Sequence, residues 1–126
     1  MKFSNCYRTL IACTALVVGA AQAHHSAVSF DQEHPVVATG IVKSFRWENP
    51  HVWLYLMVPN KQGGSDEWEI EGPSLGTLAR QGWTGTILQP GQKVHVTMAP
   101  RKDGAHGGSF HQVTLENGQV LNSGRE

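Results

Sequence analysis

Imidazole is the one side chain whose ordinary titration falls near neutral pH, and it is the commonest metal ligand. This sequence carries seven: His24, His25, His34, His51, His95, His106 and His111. The first two follow Ala21-Gln22-Ala23, which offers small residues at the two positions a signal peptidase reads. A cut after Ala23 makes His24 the first residue, and its free α-amine and ring nitrogen together chelate one Cu(II) ion. A second imidazole usually completes such a brace, and His25 and His51 are the candidates. A cut after Ala21 instead places His24 third from the amine, a spacing that binds Cu(II) or Ni(II) in a square plane through the amine, two amides and the ring. His24, His25 and His51 are thus the metal candidates, and copper is the cofactor they imply. The competing reading is a solvated histidine pair on an arm, because two histidines alone make a weak motif.

The second constellation is Trp47-Glu48-Asn49-Pro50-His51, followed by Trp53. As a site, it sets an amide and an imidazole among tryptophans at a strand mouth, suited to a planar or sugar-like ligand. Trp47, Asn49, His51 and Trp53 are its ligand-binding candidates. As structure, Asn-Pro builds a turn and His51 hydrogen-bonds a backbone carbonyl to hold it. Trp47, Trp53, Trp68 and Trp83 offer either a stacking platform or a filled core. Glu67, Glu69 and Glu71 recur every second residue and so share one strand face, which reads first as a solvated face. No serine stands in a nucleophile elbow and no two-histidine helix motif occurs, so nothing nominates an enzyme. The glycine pairs Gly63-Gly64 and Gly107-Gly108 read as loops, since neither opens a helix as a phosphate cradle must.

The elements that must hold these residues are short and mostly extended. Residues 36–47 partly alternate, with Gly40 where a bend or bulge disturbs the period. Residues 51–58 are aromatic and β-branched, with His51, Trp53, Tyr55 and Met57 on one face and Val52, Leu54, Leu56 and Val58 on the other. A third strand covers residues 66–71. Ser74 caps a short helix whose buried stripe is Leu75, Leu78 and Ala79, and Gly82 stops it. The Pro90-Gly91 turn leads to a strand over 93–98 with Val94 and Val96 inward. Residues 101–109 read as a polar, glycine-rich loop, and Asn117-Gly118 joins a last hairpin. Three strands, one helix and two or three strands give a mainly β chain. The expected fold is a five- to six-stranded OB-like Greek-key barrel with its short helix between strands 3 and 4, and a β-sandwich is the alternative.

Composition sets the compartment. Lys2 and Arg8 precede the apolar run from Leu10 to Ala20, so residues 1–23 read as a cleavable signal peptide and the mature chain as periplasmic or secreted. Residues 24–35 form an arm, 36–122 the barrel and 123–126 a frayed tail. The signal removes both cysteines, Cys6 and Cys13, so the mature domain holds together without disulfides. It also lowers the basic count from 10 to 8 against 10 acidic residues. That balance of −2 argues against a sequence-independent hold on nucleic acid. No apolar stretch reaches the roughly twenty residues a membrane-spanning helix needs. The remaining partners are a small molecule or an envelope protein.

Residues Thr39 to Val42, the run Trp47-Glu48-Asn49-Pro50-His51-Val52-Trp53-Leu54 and His24-His25-Ser26 resemble an exported bacterial family catalogued only as domain of unknown function 6152. Further matching stretches are Trp68 to Gly72, Leu78 through Thr84, Leu88 through Gly91 and Lys102-Asp103-Gly104. The resemblance spans essentially the whole mature chain. It implies an exported OB-like barrel without an assigned activity, and it lends no support to a metal role for His106.

Overall fold

The structure, a computed structural model, describes residues 29–125. The expected signal peptide, His24 and His25 lie outside the described residues. The elements run β1 (Val36–Arg46), β2 (Trp53–Pro59), β3 (Ser65–Glu71), α1 (Leu75–Arg80), β4 (Lys93–Pro100), β5 (Gly107–Leu115) and β6 (Val120–Asn122). The strand order is β3-β2-β1-β4-β5-β6, and β3 pairs again with β5. That second pairing joins the two ends of the sheet into a closed five-stranded barrel with β6 as an extra strand. The β-sandwich alternative is thereby set aside.

Closure depends on a segment whose composition reads as loop. Gly107, Gly108 and Ser109 pair in parallel with Glu69, Ile70 and Glu71, the one parallel seam among the described strands. The glycines are there because the seam is tight. A Cβ on Gly107 would run into the Glu69 carbonyl, and one on Gly108 into the Ala99 carbonyl. Polar, glycine-rich composition signals backbone freedom, but it cannot separate a loop from a close strand crossing. The irregularity in β1 divides between two places. Register slips between Val42 and Ser44 in β1, while Gly40 is the point where β2 passes closely over β1.

Alternation fills the interior. Leu54 and Leu56 from β2, Ile70 from β3, Val94, Val96 and Met98 from β4, and Phe110 and Val113 from β5 are fully buried. Burying each such side chain contributes about 1.5–3 kcal/mol. The opposite face of β2, with Trp53, Tyr55 and Met57, is half-buried on the outer wall. Helix α1 adds Leu78 to the core. Its expected stripe is narrower than the spacing suggests, because Leu75 is half-buried and Ala79 is exposed. The caps are as expected. Ser74 Oγ accepts the Thr77 N–H, and Gly82 (φ 86°) lets the Gly82 and Trp83 N–H groups reach back to the Ala79 and Leu78 carbonyls.

Candidate functional site

Strand β3 ends at Glu71, and the chain turns through Gly72 and Pro73 into α1, while the segment from Trp47 to Val52 crosses beside it. Two backbone bonds stitch the crossing: Gly72 N–H to Val52 O at 2.9 Å and Val52 N–H to Pro73 O at 3.1 Å. Asn49 Oδ1 accepts the Leu75 N–H at 3.2 Å, satisfying a donor at the open end of α1. The Asn49-Pro50 peptide is cis. His51 Nδ1 lies 3.0 Å from the Gly72 carbonyl and 3.0 Å from Glu71 Oε1.

Both neighbours of that nitrogen are acceptors, so Nδ1 carries the hydrogen. In the neutral ring, Nε2 then keeps its lone pair, on a side chain that is 35% exposed. This is the arrangement by which a carboxylate fixes the tautomer of a histidine whose other nitrogen works. Trp53 stands opposite Glu71 in the β2–β3 register.

Trp47 packs against Phe45. Its ring lies 5.8 Å from Phe45, which in turn lies 6.0 Å from Trp83, and Gly85 packs against its face. Trp83 is buried, with its indole N–H donating to the Asn122 carbonyl at 2.7 Å. Trp68 stacks on His106, with centroids 5.4 Å apart. The four tryptophans therefore form no common platform: Trp83 is core, and the other three are half-buried in different places. Of the predicted ligand residues, His51 is held by Glu71 and Gly72, Trp53 is half-buried on β2, Asn49 serves the helix end, and Trp47 packs against the core.

Glu71, read from its spacing as solvated, is buried at 8% exposure, unlike its exposed neighbours Glu67 and Glu69. The cause is the seam. Ser109 pairs beside Glu71, and the last residues return across them. Ser123 N–H donates to the His111 carbonyl at 2.8 Å, and Arg125 Nη1 donates to the fully buried Ser109 Oγ. Burial pulls the Arg125 guanidinium below its ordinary pKa, and the charge of Glu71 partly offsets this. Burial, and then the charge of Arg125, hold the His111 imidazole below its ordinary 6.5. On the far side, His111 Nε2 meets Gln32 Oε1 at 3.0 Å. Glu71, Ser109, His111 and Arg125 thus form a polar cluster that sequence reading misses. Only the position of Glu71 at the strand end, next to Gly72-Pro73, hinted that it differs from Glu67 and Glu69.

Among the described residues, no group of three or more His, Cys, Asp or Glu side chains could hold a metal ion. No described helix is long and apolar enough to cross a membrane. Comparison with curated proteins found no match, and comparison with solved structures found none either. Residues 11–111 match the family of unknown function DUF6152, and the chain belongs to that family.

Proposed function

We propose that this protein is an exported, periplasmic accessory module that binds a small molecule or an envelope protein through the surface around His51 and Trp53. One observation carries the reading. Glu71 and the Gly72 carbonyl engage His51 Nδ1, which in the neutral ring fixes one tautomer with Nε2 as acceptor on a part-exposed side chain two residues before the half-exposed Trp53. A fixed polar group next to an aromatic face is how small-ligand sites combine orientation with contact area. The signal-like amino end supports export. Tryptophan fluorescence across a screen of periplasmic metabolites and envelope proteins tests the reading. The expected result is a saturable change with one class of compound or partner that Trp53→Ala abolishes. A flat response across the screen, or one that Trp53→Ala leaves intact, refutes it.

The same tautomer lock favours copper as a second reading. A Cu(II) ion takes the lone pair of a neutral imidazole, which Nε2 of His51 offers, and His24 with its amine and His25 would supply the other ligands. Mass spectrometry of the mature amino end, followed by Cu(II) titration of wild type, His24→Ala and His51→Ala, tests it. Tight binding lost in His24→Ala supports the reading. Binding that ignores both substitutions removes it.

A further inference from the structure

We propose that the crevice between β3 and the 101–106 loop is a binding site for a small zwitterion of the amino-acid class, its ammonium held by Glu69 and its acid group by Arg101. The crevice exists because the parallel seam begins only at Glu69 and Gly107. Before that point β3 has no β5 neighbour, and the loop bows away to leave about 360 Å³ lined by Glu67, Glu69, Arg101, Ala105 and His106. That space accommodates a single amino acid and falls at the small end of ligand cavities.

The charges within it are unequally committed. Lys43 pairs with Glu67. Glu69 makes no side-chain hydrogen bond or ion pair among the described residues; the bonded Asp103 raises the Arg101 guanidinium above its ordinary pKa, and the charge of Glu69 adds to this. Arg101 donates from Nε and Nη2 to the two Asp103 oxygens at 3.1 and 2.6 Å, leaving Nη1 without a hydrogen-bond partner among the described residues. Glu69 and Arg101 therefore line one crevice without pairing, and a carboxylate and the guanidinium Nη1 are both available to a ligand there. A molecule carrying both charges engages both groups, whereas a simple cation or anion satisfies one only.

The rim is built in advance. Asp103 Oδ1 accepts the Ala105 N–H at 3.0 Å, Gly104 N–H reaches the Arg101 carbonyl at 3.2 Å, and Lys102 N–H reaches the Ser29 carbonyl at 3.0 Å. The His106 ring lies nearly parallel on Trp68, at 9°, and forms an aromatic wall. Such preorganisation lowers the ordering cost of binding.

The test is a calorimetric titration of the purified chain with the twenty standard L-amino acids, with the Trp68 and His106 ring signals followed by NMR. For the tightest binder, its decarboxylated amine and its deaminated acid are compared. The expected result is binding of at least one amino acid that moves both ring signals. Each half-molecule should bind about tenfold more weakly, and Glu69→Gln should weaken binding about tenfold with an unchanged melting temperature. The proposal is overturned if no amino acid binds with a Kd below about 10 mM. It is equally overturned if the amine alone binds as tightly, or if Glu69→Gln binds like wild type. None of these outcomes depends on His51 or Trp53, so the site stands or falls separately from the proposed function.

Discussion

Gly72 joins the fold to the candidate site, and replacing it with alanine should damage both. Its N–H and carbonyl are each engaged, the first by Val52 and the second by His51 Nδ1. Its missing side chain is occupied space: a Cβ there would lie 2.5 Å from Phe110 Cε1 and Cζ and 2.5 Å from Val52 Cγ2. Those distances fall about 0.9 Å short of ordinary contact at 3.4 Å, and both neighbours are fully buried. Neither ring nor methyl can retreat without displacing a second core residue. Overpacking of this kind costs about 1–3 kcal/mol, and at roughly 4–8 °C per kcal/mol for a domain of this size, Gly72→Ala should melt about 5–20 °C below wild type. Gly64→Ala is the control, since its Cβ would find nothing nearer than 3.6 Å and its backbone needs no positive φ. Its effect should stay within about 0.5 kcal/mol. Thermal melting by circular dichroism reads both. If Gly72→Ala melts within about 2 °C of Gly64→Ala, the Val52–Gly72–Phe110 packing is not what holds the crossing, and the account of how His51 is positioned fails with it.

Three further outcomes follow from the seam and its polar cover. Gly107→Ala drives a Cβ into the Glu69 carbonyl at a φ of 144° and should lower stability by about 3 kcal/mol or more, seen as faster exchange of the Glu69 and Glu71 amides; unchanged exchange there would contradict barrel closure through these residues. Glu71→Gln should destabilise by about 1–3 kcal/mol in urea melts because Arg125 loses a buried partner charge and His51 Nδ1 a charged acceptor, while Glu69→Gln should be near neutral; equal effects would show that burial does not distinguish them. The His111 ring should titrate below 6.5 by NMR and move up towards that value in Arg125→Ala, which removes both the cover and the charge. Because the folded pKa is depressed, the unfolded chain takes up this proton first. The contribution of His111 is therefore complete above 6.5 and is lost as pH falls from there through the folded value. A titration at or above 6.5 would refute the packing of the tail against β5.

Local chemistry made much of the framework legible. Alternation in Leu54 to Val58 and Val94 to Met98, the Ser74 cap, and the glycine stops at Gly82, Gly91 and Gly118 each act within a few residues. They point to the strands, the helix α1 and the turns without reference to any long-range contact. The seam at Gly107 and Gly108 was not legible, because a glycine pair reports only that a side chain is excluded. What excludes it, here the Glu69 and Ala99 carbonyls, is known only once β3 and β5 meet. The site divides in the same way. The run from Trp47 to Trp53 marks His51 and Trp53 by residue type, but the commitment of Nδ1 requires Glu71 and Gly72, about twenty residues away. The equal spacing of Glu67, Glu69 and Glu71 assigns all three to one face, and a strand's period of two can assign nothing more. Closure of the barrel and the return of Arg125 made one of them buried and left the other two at the surface, because burial depends on what packs across a residue and not on where it stands in the chain.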